Sequence, residues 1–239
     1  MRKLALLWLL LPCMGFGQVK NVVTAERYFP RMDKVLEFEK ALANHAQKYH
    51  TGDWKWRVFE IQSGPDAGGY QINEGPNTWE QIDGRGDLGA EHLNDWNKNV
   101  APFLTDRYSS VYATYEEELS TVQLTDYTPK IAINHIFPKP GWGDKVEDEL
   151  KRIKKAWAAG NQTVAVYSAA SSGPTQYILV TRFKQGLKEK EKTFRKPFKE
   201  RYEAVNGGGS YEGYMQSIRD AIEHSWQEIL MARPELGSK

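Results

Sequence analysis

"YFPRMDKV" at residues 28–35 and "IFPKPGWGDKV" at 136–146 carry one pattern twice. In each, an apolar segment runs into Phe-Pro, then a basic residue, then Asp-Lys-Val. Proline has no N–H to give to a strand ladder, and the aspartate that follows can cap a helix. Each stretch therefore reads as strand, stop and helix start. Further along, "SGP" stands at 63–65 and again at 172–174. The chain reads as two copies of one plan.

Working outward from the first stretch, residues 19–29 alternate as a strand that Pro30 closes. From Asp33 to about Tyr49, residues Val35, Phe38, Leu42, His45 and Tyr49 recur at helical spacing. "DWKWRVFEIQ" (53–62) and "GYQINEG" (69–75) predict a hairpin around the first SGP. "NTWEQI" (77–82) is a short helical piece. Residues 89–107 carry Leu93, Trp96, Val100, Phe103 and Leu104 on one helical face, and "SSVYATYEEEL" (109–119) closes the unit as a strand. The order is β-α-β-β-α-β.

The second copy repeats it. "KIAINHIF" (130–137) is a strand, and "GDKVEDELKRIKKAWAAG" (143–160) is a helix with Val146, Leu150, Ile153 and Trp157 on one stripe. "QTVAVYSAASSGPTQYILVTRF" (162–183) is a second hairpin. A polar helix is expected over 187–204, broken by "NGGG" (206–209), then a helix over 210–224 and a strand over 226–233. The predicted fold class is α+β: two tandem β-α-β-β-α-β ferredoxin-like repeats, 18–125 and 126–239, forming an intramolecular dimeric α+β barrel.

Residues 1–17 stand apart. Arg2 and Lys3 precede "LALLWLLL" (4–11), and Gly15-Phe16-Gly17 offers small residues for a signal peptidase, so cleavage is expected near Gly17, before Gln18. The protein is then secreted or periplasmic. A lipoprotein reading through Cys13 is the alternative, with Pro12 a poor residue before such a cysteine. Cys13 is the sole cysteine, so the mature chain has no disulfide, thiolate metal site or cysteine nucleophile. Removing the leader leaves 30 basic against 31 acidic residues, which argues against nucleic-acid binding. No later stretch has transmembrane length, and the oligomeric state is left open.

The element order and its duplication resemble the dimeric α+β barrel superfamily, which includes antibiotic-biosynthesis-type monooxygenases, NIPSNAP-like proteins and chlorite-dismutase-like haem proteins. The resemblance covers almost all of the mature chain. It implies a small-molecule cavity between sheet and helices, lined by first-strand residues.

Aligning the two Phe-Pro pairs sets Arg27 opposite His135 and Glu26 opposite Asn134. Strand alternation places a basic side chain on an otherwise apolar row in both halves: Val23, Ala25, Arg27, Phe29 and Ile131, Ile133, His135, Phe137. His135 and Asn134 are the best catalytic candidates, since imidazole titrates near neutrality. The candidate ligand-binding residues are Arg27, Trp54, Trp56, His92 and Trp96 in the first copy, and Trp157 and Tyr167 in the second.

Haem-degrading relatives pair a first-strand asparagine with a tryptophan and a histidine on the second helix. Asn134 has only His224 and Trp226 for partners, while His92 and Trp96 face Glu26, so neither half assembles that trio. His45 reads as a core or cavity histidine and His50 as a helix-end residue. No histidine spacing marks a metal site, and none is assigned.

Residues 182–201 hold nine basic side chains against three acidic, a solvated face by default and a partner-docking face otherwise. The reading is an exported small-molecule-binding protein of the monooxygenase-like barrel type, with cofactor-independent oxygenase activity as one form of it. A non-catalytic partner-binding protein and a haem-binding protein are the alternatives.

Overall fold

The computed structural model describes residues 19–169 and 173–239. The leader with Cys13, and Ser172 of the second SGP, lie outside the described residues. Eight strands close into one antiparallel barrel: β1 (Val22–Pro30), β2 (Trp56–Ile61), β3 (Tyr70–Asn77), β4 (Leu104–Tyr115), β5 (Lys130–Pro138), β6 (Val164–Ala169), β7 (Gln176–Arg182) and β8 (Ile222–Ala232). Their order around the wall is β1-β3-β2-β8-β5-β7-β6-β4. Within the first half β1 pairs with β3 and β4; within the second β5 pairs with β7 and β8. Two short seams complete the closure, Phe59–Ile61 against Leu230–Ala232 and Thr114–Tyr115 against Tyr167–Ser168. Closure leaves no edge strand unpaired along the wall.

The helices lie outside. Helix α1 (Val35–Tyr49) buries Phe38, Leu42, His45 and Ala46, the stripe its spacing predicts. It packs with Trp56, Val58, Tyr70 and Ile72 from the outer face of its own half. Two short helices, α2 (Trp79–Gly84) and α3 (Ala90–Asp95), follow on the same side. In the second half α4 (Gly143–Ala159) buries Val146, Leu150, Ile153 and Trp157, with α5 (Phe198–Asn206) and α6 (Ser210–Ala221) beside it. No helix among the described residues is long and apolar enough to cross a membrane.

Three expectations are corrected. Residues 89–107 are not one helix: α3 passes into a π turn at Trp96–Val100 and a 3-10 turn at Ala101–Phe103, and Leu104 already begins β4. Pro102 has no N–H for the carbonyl four residues back, so the coil changes pitch before it. The helix expected to reach His224 stops at Ala221, because β8 starts at Ile222 to pair Pro138 with Ile222 and Phe137 with His224. The polar helix of 187–204 shrinks to one 3-10 turn at Leu187–Lys190 and α5, which starts just after Pro197.

The segment between the halves is packed. Val122 and Leu124 are buried in the barrel interior against Ile131 and Leu230. The Arg182 guanidinium fastens it, donating to the carbonyls of Gln123 and Asp126 at 2.7 Å and of Leu124 at 2.9 Å. The strap thus closes one end of the barrel.

Candidate functional site

The inward row of β1 and the inward row of β5 face one cavity of ≈ 370 Å³ inside the barrel. Its middle is apolar, with Val23, Ala25, Ile133 and Val180 on the wall. At one end stand Arg27, Asp66, Gln71, His135 and Trp226; at the other, Tyr127, Tyr167 and Arg182. Arg182 is in register with Ile131, and Ile178 with His135. The two ends are therefore four strand residues apart, about 13 Å.

The first end is a buried ionic cluster. Glu228, on β8, is fully buried. It accepts from Arg27 Nη2 and, at 2.8 Å, from His135 Nε2. Arg27 Nη1 also donates to Asp66 Oδ2 at 2.5 Å, and its Nη2 donates to Gln71 Oε1 at 2.8 Å. Arg27 Nη2 and His135 Nε2 lie 3.3 Å apart, two donors aimed at one carboxylate oxygen. Arg107 completes the group with a bond to the other oxygen of Asp66. Two arginines balance two carboxylates, the condition under which buried charge is tolerated. Burial pushes the Glu228 pKa up, but the His135 hydrogen bond and the Arg27 charge outweigh it and hold the carboxyl below its ordinary range.

The β2–β3 turn builds this end. Gly64 sits at φ +94°, where a Cβ would lie 2.9 Å from Glu228 Cβ. Ser63 Oγ accepts from the amide of Ile229 at 3.0 Å, and the same turn supplies Asp66. On the opposite side Trp226 stacks on His135 with centroids 4.7 Å apart. Its indole N–H is buried and has no hydrogen-bond partner among the described residues. At the far end Tyr167 accepts from Arg182 at 3.1 Å, and burial raises the phenol pKa to about 12. Among the described residues Arg182 has no carboxylate within ion-pair distance.

A second cavity, of ≈ 480 Å³, lies between the first half's sheet and helices. Glu26, Tyr28, His50, Trp54, Trp56, Glu74, His92 and Trp96 are on its wall. Tyr28 and Tyr108 both donate to Glu26, each at 2.9 Å. Trp56 stacks on His50 at 3.4 Å and donates to Glu74 at 3.1 Å. Arg85 bonds the same carboxylate at 2.8 Å and lies over the Trp54 ring at 4.6 Å. His92 is brought against His45 and His50, neither of which the sequence assigned to a site.

The predicted residues therefore divide between two places. Arg27, His135 and Tyr167 line the barrel interior, not the space between sheet and helices, because alternation turns positions 27 and 135 inward. Trp54, Trp56, His92 and Trp96 line the outer cleft, whose wall does not include Arg27. Asn134 faces outward by the same alternation, away from His135. Trp157 is buried in the second half's packed core and borders neither cavity. His224 and Trp226 are strand residues of β8 that stack on Phe137 at 4.3 and 5.0 Å, not helix residues beside Asn134. The basic run 182–201 is not one face: Arg182 is inside the barrel, and Arg195 is tied to Glu189 and to the Gly160 carbonyl.

The sequence reading missed Glu228, Asp66 and Arg182 as site residues. A signal for the first was present: Trp226, Glu228 and Leu230 alternate on one strand face, and a carboxylate in such a row needs a buried partner. Asp66 comes from a turn and carried no comparable mark.

No family model matches this chain, and no curated protein matches it. Solved structures do. A provisionally named monooxygenase from Fusobacterium nucleatum subsp. nucleatum ATCC 25586 superposes with TM-score 0.55 at 11% identity, over 88% of this chain and 91% of that one. An anthrone oxidase-like protein gives 0.55 at 10%, over 90% and 92%. A second provisionally named monooxygenase, from Lactobacillus acidophilus NCFM, gives 0.51 at 10%, over 91% and 95%. At such identities the likeness is one of fold: this chain shares with these structures a mixed fold of an eight-stranded antiparallel barrel and outer helices.

Proposed function

We propose that the protein binds an elongated, largely apolar small molecule inside its barrel. The observation that carries the reading is the cavity beside His135. It is apolar in the middle and polar at both ends, and its wall includes an indole N–H without a partner. An aromatic body suits the middle, and a hydrogen-bond acceptor suits Trp226. An anionic group suits Arg182, a buried cation whose hydrogen-bond partners among the described residues are all neutral oxygens.

The oxygenase form of the reading uses the same end. With its Nε2–H bonded to Glu228, His135 has Nδ1 as its base site; Nδ1 lies 3.3 Å from Gln176 Oε1, so that amide must turn aside before Nδ1 accepts a proton from an activated methylene. The carbanion then reduces dioxygen without a cofactor, and the peroxide loses water: one CH2 and one O2 become one C=O and one H2O. The anthrone oxidase-like neighbour recommends an anthrone as the first substrate to test. We also infer that the two halves are copies of one ferredoxin-like unit, and that the chain is exported after cleavage before Gln18. The intact mass of the mature protein tests the cleavage.

The binding test uses 1-anilinonaphthalene-8-sulfonate, an apolar anion whose fluorescence rises out of water. Ala25→Phe fills the middle of the cavity and is expected to weaken binding at least about tenfold, with the circular dichroism spectrum unchanged. Equal binding by the variant, or none by the parent protein, overturns the reading. Oxygen uptake with an anthrone, abolished in His135→Ala, is the result expected of the oxygenase form.

A further inference from the structure

We propose that His45, His50 and His92 form a binding site for one late first-row divalent transition metal ion, with an open coordination position on the outer cleft. This site is separate from the barrel interior and does not depend on the ligand proposed there. Sequence spacing conceals it. His45 is on α1, His50 just follows that helix, and His92 comes from α3 more than forty residues later.

The geometry is that of a ligand set. The ligating nitrogens all lie within 4.8 Å of one another. His92 Nε2 is 3.1 Å from His45 Nε2 and 3.3 Å from His50 Nε2. Three nitrogens about 2.0–2.1 Å from a tetrahedral ion are separated by about 3.3 Å. The second shell is also present. His45 Nδ1 donates to Asp95 Oδ2 at 2.7 Å, which fixes the tautomer and leaves its Nε2 lone pair facing the cluster. Glu74 Oε2 is 3.5 Å from His50 Nδ1 and favours the same tautomer there.

Proton counting gives an independent argument. A single N–H on His92 Nε2 satisfies one of its two neighbouring nitrogens and leaves the other facing it without a partner. One cation shared by three neutral lone pairs resolves the arrangement, and neutral imidazoles are the form that binds metal. Imidazole donors select zinc, copper, nickel or cobalt over magnesium or calcium. His45 and His50 are almost fully buried, whereas His92 is half-exposed. His50 and His92 both line the cleft that also holds Glu26, Tyr28 and Trp96. Three protein ligands with a cleft-facing fourth position is the pattern of sites that bind a further small ligand.

The test takes untagged, chelator-treated full-length protein and titrates it with Co2+, followed by Zn2+ competition. The expected result is one equivalent bound with micromolar or tighter affinity, with intense visible d–d bands of tetrahedral cobalt that Zn2+ removes. His92→Ala should weaken binding at least about 100-fold, and Asp95→Asn about 10- to 100-fold through the lost second-shell bond. His92 is at the edge of the cluster, so its variant keeps the test informative if His45→Ala fails to fold. His224→Ala, an exposed histidine on β8, should bind as the parent does. Absence of stoichiometric binding, or binding that survives His92→Ala, overturns the proposal.

Discussion

Arg27→Met tests whether the interior cluster is one energetic unit. The substitution keeps an unbranched apolar stem but removes the hydrogen bonds to Glu228, Asp66 and Gln71. Asp66 keeps Arg107 and is partly in water, so its loss is small. Glu228 is fully buried and is left with His135 alone. Removing one partner of a buried pair costs roughly 3–5 kcal/mol. For a chain of this size each kcal/mol lowers Tm by about 2–4 °C, so the expected drop is about 6–20 °C. Glu228→Gln is milder, about 1.5–3 kcal/mol, because Arg27 keeps Asp66. The double variant strands no carboxylate and should cost less than the two single losses together, by at least about 1.5 kcal/mol. Urea unfolding of all four proteins, followed by fluorescence, gives the cycle. A cost below about 1 kcal/mol for Arg27→Met, or additivity within about 0.5 kcal/mol, refutes the reasoning.

Acid should act through the same carboxylate. Glu228 has its pKa lowered on folding, so its contribution is complete above the unfolded value of about 4.3 and is lost as pH falls through the folded value. The stability gap between parent and Glu228→Gln should therefore narrow below about pH 4, which denaturant titration at several pH values measures. Gly64→Ala puts a Cβ at φ +94°, against Glu228 Cβ and 3.1 Å from the Gln227 carbonyl. It should destabilise by about 2 kcal/mol or more, and a thermal shift within about 1 °C would contradict the packing described. Arg182→Met leaves three strap carbonyls without their donor and should cost about 2–4 kcal/mol. It should also weaken the anionic naphthalene probe more than a neutral aromatic of equal size; equal losses would remove Arg182 from ligand recognition.

The element order was legible because both Phe-Pro stops and the alternation before them are local properties. Aligning the two Phe-Pro stops set Arg27 opposite His135, and the two stand 3.3 Å apart. What escaped was the side of the sheet on which these residues meet a cavity. Strand period sorts residues into two faces, but closure of the wall decides which face becomes the interior. Glu228 escaped because its partners come from β1 and β5, far off in sequence, and Asp66 because a turn residue has no periodic signature. Helix lengths failed where a distant strand imposed its register, as at Ile222, or where Pro102 and Pro197 interrupted an expected helix. The three histidines were each visible, but His45 and His50 were given local purposes and His92 was assigned to a ligand site apart from them. Their meeting depends on how α3 docks on α1, which no spacing rule encodes.

The covalent joining of the two halves has a chemical consequence. A barrel made from two identical chains has a two-fold axis through its middle, so each residue near the axis meets its own copy. Position 27 would then oppose arginine with arginine, and a buried like-charge pair at 3.3 Å is prohibitive. One continuous chain removes that constraint: arginine on one central strand can meet histidine on the other, with a single glutamate between them. The outer layers are equally unalike, with histidines on one side and the aromatic group of Phe198, Tyr202, Tyr211 and Tyr214 on the other. Asymmetry of this kind gives the interior a direction, so the molecule proposed to bind there would lie with one head end and one tail end.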